Sequence, residues 1–240
     1  MTGTARRAAA LAAAVLVTGT ALRAEAASLP LGSQHLTTFS ACSLVIFPTT
    51  TTGMADAWVD QKNPATNNGT QNSLNVASNT AGDNQRAYFS FTLSNCLVGP
   101  PSTATVLSAA LVLNVRKLAP TCRTLDVFRL TTSWTETGVT WNGQPAPATT
   151  TANTPSSASR TSSANVGNVS TCANKTTNAA VSFDVTADVA AYVTGSATND
   201  GWMMRDDAEN GGSSQQTQFT TREGAALATA PRLLITYTRG

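Results

Sequence analysis

Only 12% of this 240-residue sequence is charged, against about 25% in ordinary globular domains. Lysine occurs three times, as Lys62, Lys117 and Lys175. No run of Lys and Arg could build the basic stripe of a nucleic-acid-binding surface, which sets nucleic acid aside as a partner. Histidine occurs once, as His35, ahead of the β-rich part of the chain. A Ser-His-Asp or Cys-His system therefore lacks a base where one is needed. A zinc site is short of ligands as well, because no two cysteines have C-x-x-C spacing.

What is present points to export. Arg6 and Arg7 precede an apolar run from Ala8 to Leu22, followed by the small-residue exit Ala24-Glu25-Ala26-Ala27. That order predicts a signal peptide over residues 1–26, a leader segment over 27–43 and a domain over 44–240. The apolar run falls short of the ~20 residues a membrane span needs, so a retained anchor is the weaker reading. The expected location is secreted, either extracellular or on the cell surface, with no membrane span after cleavage. Without Arg6, Arg7, Arg23 and Glu25, the 15 basic and 13 acidic residues become 12 of each. All four cysteines, Cys42, Cys96, Cys122 and Cys172, fall in the exported portion, and an even count in an oxidising compartment favours two disulfides. Three pairings satisfy that count. Cys122–Cys172 with Cys42–Cys96 is the expected one, since Cys122 and Cys172 both sit in polar loops just before predicted strands.

The periodicity is two rather than 3.6. Short β-rich segments at Leu44–Phe47, Ala57–Asp60, Leu74–Ser78, Arg86–Leu93, Val106–Arg116 and Leu125–Leu130 are separated by Gly, Asn, Pro and Ser. Later strands are predicted at Val139–Asn142, Ala180–Val185, Gly201–Arg205, Thr217–Thr221 and Leu233–Thr238. Within Arg86–Leu93, Ala87, Phe89, Phe91 and Leu93 share one face, expected to be core. Arg86, Tyr88, Ser90 and Thr92 share the other, expected to be partly wet. Val185, Val189 and Val193 recur at four-residue intervals, with Thr186 able to cap and Asp188 in the first turn, so one short helix is expected there. The stretch 147–179 has little apolar periodicity and reads as surface loop tied by Cys172. Turn spacing of this kind fits an all-β sandwich better than βαβ units.

Several local signatures then occur in order. Asp56-Ala57-Trp58-Val59 precedes Lys62-Asn63-Pro64-Ala65-Thr66-Asn67-Asn68-Gly69-Thr70, Leu74-Asn75-Val76 and Arg86-Ala87-Tyr88-Phe89-Ser90-Phe91. Ser133-Trp134-Thr135-Glu136-Thr137-Gly138-Val139-Thr140-Trp141-Asn142 and Phe183-Asp184-Val185-Thr186 follow, then Gly201-Trp202 and Phe219-Thr220-Thr221-Arg222-Glu223. This series resembles the DNRLRE domain family, related to family 96 carbohydrate-binding modules, over about residues 44–238. The resemblance implies a jelly-roll-like β-sandwich with a short helix, on a secreted or cell-surface protein whose relatives bind acidic polysaccharides such as alginate.

The expected function is therefore a non-catalytic carbohydrate-binding or cell-surface adhesion module, with a polysaccharide or cell-surface glycan as partner. Trp58, Lys62, Asn75, Arg86 and Tyr88 form the expected binding face. Trp58 lies beside the Asn-rich loop, with Ala57 and Val59 expected on the opposite, core-directed face. Lys62 and Arg86 match the basic groove that the resemblance implies, and both suit uronate carboxylates. Ala77 stands where relatives often carry lysine, which leaves a neutral or weakly acidic glycan as plausible as alginate. The structural reading of Arg86 is a pair with Asp56 or Asp60. For Trp134 and Trp141, core packing is favoured over a sugar platform.

A lyase or glycosidase using carboxylates or a tyrosine is the competing expectation, and a structural envelope protein is another. Its acids would be Glu136, Asp184 and Glu223, each of which also has a structural reading in a turn, at the start of the helix or beside Arg222. No cofactor is expected. Asp206, Asp207 and Glu209 lie in one loop and offer oxygen ligands for calcium, though a solvated acidic turn is the favoured reading.

Overall fold

Alternation of apolar side chains makes each strand two-faced, and the fold is the way those faces find cover. The computed structural model describes residues 39–45, 53–80, 82–93, 104–147, 157–211, 214–224 and 229–239, all within the compact unit Thr37–Gly240. The strands are β1 (Phe39–Val45), β2 (Met54–Asp60), β3 (Ser73–Ser78), β4 (Gln85–Phe91), β5 (Ala104–Lys117) and β6 (Arg123–Arg129). After them come β7 (Ser162–Val166), β8 (Ala180–Asp184), helix α1 (Thr186–Val193), β9 (Trp202–Asp206), β10 (Gln215–Thr220) and β11 (Arg232–Arg239). Hydrogen bonding runs β1-β11-β5-β10-β3-β4-β9-β6-β7, with β2 on β4 and β8 on β5. Every strand pair is antiparallel.

The sheet curls because β3 and β4 stay paired only at Ala77 opposite Gln85 and then diverge. Leu74, Val76, Leu111, Leu113, Val115, Phe219, Leu233 and Ile235 from one half then meet Ala87, Phe89, Phe91, Leu125, Val127, Trp202 and Met204 from the other. This is an all-β, jelly-roll-like sandwich. The helix closes one side of the core with Val185, Val189 and Val193, all buried. Thr186 does not cap it. Asp184 instead accepts hydrogen bonds from the Thr186 backbone N–H (2.9 Å) and hydroxyl (2.6 Å), which hold its carboxyl below the ordinary carboxylate range.

Several expectations are corrected. The predicted strand at Val139–Asn142 is instead turns and coil, because the segment lies over the sheet, with its backbone met by Asn67 and Pro64 instead of a neighbouring strand. The stretch 147–179 contains β7, invisible to apolar periodicity because its sequence is Ser-Ser-Ala-Asn-Val. Even so, Ala164 and Val166 both meet the core. The first strand begins earlier than Leu44, at Phe39, while Phe47 lies outside the described residues.

The largest correction concerns the second face of β4. Arg86 and Tyr88 are 2% and 0% exposed, since Ala57, Val59, Tyr88, Phe128, Leu130, Val139 and Met203 form a second apolar cluster, flanked by Trp134 and Trp141. Both faces of this half are covered. Ala57 and Val59 therefore face this outer cluster, and it is Trp58 that packs against the main core.

Cys122 and Cys172 are bonded, with Cα atoms 5.3 Å apart and a sequence separation of 50. The Cys42–Cys96 pairing lies outside the described residues. Replacing both Cys122 and Cys172 by Ser removes a cross-link over a long loop and should lower stability by about 2–4 kcal/mol. Urea unfolding checks this, with an unchanged far-UV circular dichroism spectrum expected because the apolar core is untouched.

Candidate functional site

The five residues expected to form one binding face occupy different environments. β2 and β4 pair with Trp58 opposite Ala87, Ala57 opposite Tyr88 and Val59 opposite Arg86. Cross-strand partners share a face, so Trp58 points away from Arg86 and Tyr88. Its indole N–H is buried without a hydrogen-bond partner among the described residues. Lys62 is exposed in the loop after β2, where its backbone N–H donates to Asp60. Asn75 lies on β3, paired with Gln218, and is 7% exposed.

Arg86 and Tyr88 belong to an interior polar web. Arg86 makes a two-pronged pair with Glu209, Nε to Oε1 and Nη2 to Oε2, both 2.7 Å. Its Nη1 donates to Gln144 Oε1 at 2.9 Å, and Tyr88 donates its hydroxyl to the same oxygen at 2.8 Å. The guanidinium lies 4.6 Å from the Trp141 ring centroid, a cation–π contact. Burial raises the Tyr88 phenol well above its ordinary pKa. The structural partner of Arg86 is thus Glu209 rather than Asp56 or Asp60.

Glu209 closes the acidic loop considered for calcium. Asp206 accepts from Arg123 Nε at 2.7 Å and Nη2 at 2.5 Å, so two of the three oxygen-bearing side chains are engaged by arginines. Asp207 is exposed. Among the described residues, no group of three or more His, Cys, Asp or Glu is spaced to hold a metal ion.

The family-like motifs converge on the segment 131–147, which covers the second apolar cluster. Asn67 donates its amide to Glu136 O and Val139 O, both at 2.8 Å. A Cβ at Gly69 would sit 2.1 Å from Glu136 O, so the Asn-Gly loop needs glycine to approach this closely. Trp134 donates its indole N–H to Asp200 O at 3.0 Å, and its ring centroid lies 5.7 Å from that of Tyr88. The core reading of Trp134 and Trp141 agrees with both contacts.

Glu136 meets Arg222 and, with it, Asp56 and Glu223. Arg222 Nη2 ion-pairs with Glu136 and with Glu223, and its backbone N–H donates to Asp56 Oδ2 at 2.8 Å. Two carboxylates share the guanidinium, and a third carboxyl group, that of Asp56, takes the backbone N–H of the same residue. Burial, assisted by Glu223 and Glu136, pushes the Asp56 carboxyl up to about 8 against the Arg222 backbone hydrogen bond. Asp56 Oδ1 is buried and has no hydrogen-bond partner among the described residues. Desolvation also raises Glu136. Two of the acids considered for catalysis, Glu136 and Glu223, are thus bound to Arg222, and the third, Asp184, to Thr186.

A surface missed by sequence reading lies on the outer face of β3 and β10. Asn75 faces Gln218, and Ala77 faces both Gln216 and Gln85. Gln218 donates to Gln216 at 3.2 Å, Gln216 to Gln85 at 2.9 Å, and Lys117 to Gln216 at 3.2 Å. Asn75 Oδ1 has no partner among the described residues. Lys117 and its neighbour Arg116 are exposed at one end, and Gln216 and Gln218 are half-buried. The signal was present in Gln215-Gln216-Thr217-Gln218, whose alternation puts Gln216 and Gln218 on one face.

The motifs quoted from the sequence thus hold the jelly-roll-like sandwich together, while Gln216, Gln218 and Lys117 keep part of their surface in solvent. The family model for carbohydrate-binding module family 96 matches residues 48–167, half of the chain, and the chain belongs to that family. No curated protein matches it.

Two outcomes follow for the buried charges. Arg86→Ala removes the two-pronged partner of Glu209, leaving it the longer ion pair with Arg205 at 3.7 Å, and should cost about 3 kcal/mol in urea unfolding, whereas joint replacement of Arg86 and Glu209 by Met should cost clearly less. For Asp56, the folded pKa lies above the ordinary carboxyl value of 3.8, so the folded state holds an extra proton between that value and about 8. Its contribution is full below the lower value and is lost as pH rises through the upper one. Asp56→Asn should therefore gain on the parent protein between about pH 5 and pH 8, by about 3 °C or more in Tm.

Proposed function

We propose that this protein is exported by residues 1–26 and binds a polysaccharide outside the cytoplasm without acting on it. Family membership supports carbohydrate as the ligand class. A disulfide between Cys122 and Cys172 is compatible with an oxidising compartment. Among the described residues, no helix is long and apolar enough to cross a membrane.

The observation that carries the reading is the polar strip across β3 and β10. Each amide side chain offers both a donor and an acceptor, which is what successive hydroxyls of a glycan require. Gln216 and Gln218 are half-buried and Lys117 is exposed, while Ala77, Asn75 and Gln85 are buried beside them. Arg116 and Lys117 add positive charge at one end, suited to an occasional carboxylate on a hydroxyl-rich polymer. Of the five residues first expected, Asn75 belongs to this strip and Lys62 stays on the surface. Trp58, Arg86 and Tyr88 support the fold beneath.

Affinity electrophoresis of the exported chain in gels containing neutral or uronate polysaccharides tests the reading. Retardation by at least one polymer is expected. Gln216→Ala/Gln218→Ala should weaken it about tenfold, two lost hydrogen bonds at a partly exposed site, with little change in Tm. Retardation unaltered by that double variant would remove the strip, and release of reducing sugar or unsaturated product would move the reading to an enzyme.

A further inference from the structure

On the other half of the sandwich, the segment 131–147 encloses an open cleft of about 430 Å³, walled by Thr132, Ser133, Trp134, Gln144 and Pro145. That volume falls within the range of small-ligand sites. The geometry points to this cleft as a second carbohydrate subsite, one that takes a neutral glycosyl unit and is independent of the strip on β3 and β10.

Three features carry the assignment. The lining holds no charged side chain, so a uronate would find no counter-charge and lose its hydration, whereas a neutral sugar would not. Trp134 is half-buried, with its ring fixed by the N–H bond to Asp200 O and by the tilted contact with Tyr88. Its remaining surface offers a rigid aromatic wall to the C–H face of a pyranose, and the hydroxyls of Thr132 and Ser133 are exposed beside it. Gln144 is held from both ends, its oxygen by Arg86 and Tyr88 and its nitrogen by Trp141 O at 2.9 Å.

The walls are also set before any ligand arrives. Thr131 N–H bonds Ala146 O, Leu130 bridges Pro147, and Asn142 N–H bonds Pro64 O. A site held in this way loses little conformational freedom on binding. Its position on the outer face of β2, β4, β9 and β6 separates it from the strip, which lies on the outer face of β3 and β10.

Isothermal titration and tryptophan fluorescence of the full exported chain with a panel of neutral hexose oligosaccharides, and an oligouronate as control, provide the test. Saturable binding of at least one neutral oligosaccharide is expected, with a change in tryptophan emission. Thr132→Ala/Ser133→Ala, a change confined to exposed hydroxyls, should weaken that binding about tenfold, and Trp134→Leu should weaken it further. Gln216→Ala/Gln218→Ala should leave it unchanged, so failure of the strip and failure of the cleft are read separately. No binding of any neutral oligosaccharide, binding by the oligouronate alone, or full affinity in Thr132→Ala/Ser133→Ala would each overturn the assignment. The hydroxyl variant decides the matter even if Trp134→Leu fails to fold.

Discussion

A guanidinium on the outer face of a β-sheet normally reaches water, and here it does not. Arg86 lies 2% exposed on β4, and a charge in that position is tolerable only when paired and fully hydrogen-bonded. Glu209 supplies the charge from the turn after β9, while Gln144 and the Trp141 ring come from the segment across the sheet. The position of Glu209 fixes the β9–β10 turn, and the position of Gln144 fixes the 131–147 segment. That segment covers Tyr88, Phe128 and Met203. One buried cation thus determines which surfaces of this half of the sandwich are available to anything else.

The ordered sequence motifs can be understood in the same physical terms. Glu136 and Arg222-Glu223 are remote in sequence, yet they meet around Asp56 on the edge strand β2. Asn67 and Gly69 bring the Asn-rich loop against Glu136. Asp184 and Thr186 turn the chain from β8 into the helix. These residues hold the fold together, whereas a contact surface on the same scaffold is free to vary with the ligand.

Local periodicity made most of the architecture readable. The alternation in Ala87-Tyr88-Phe89-Ser90-Phe91 identified the inward face of β4, and Val185, Val189 and Val193 identified the helix face, because both depend on neighbouring residues alone. The cover over the opposite face of β4 depends on a segment more than forty positions away, between Thr131 and Pro147, and no local period encodes it. The same limit reversed the reading of β2. Ala57 and Val59 are as apolar as an inner face demands, yet they serve the second cluster while Trp58 meets the first. β7 was hidden for a different reason: an edge strand of small polar residues gains its order from pairing with β6, so it leaves little hydrophobic trace. The strip proposed for binding was legible only as an alternation of glutamines, which β3 extends with Asn75 and Ala77 beside it.

That inconspicuous strand ends the hydrogen-bonded order, and what lies beyond it gives the disulfide a second meaning. The outer side of β7 is met by Asn174, whose backbone N–H bonds Asn165 O and whose carbonyl accepts from Gly167 N–H, both at 3.0 Å. Cys172, two residues earlier, holds that short stretch down to Cys122 at the start of β6. An open sheet edge is a template for adding a strand from another molecule. The covalent link therefore works as a bolt on the sheet's margin, holding in place the stretch of chain that occupies the outer side of β7.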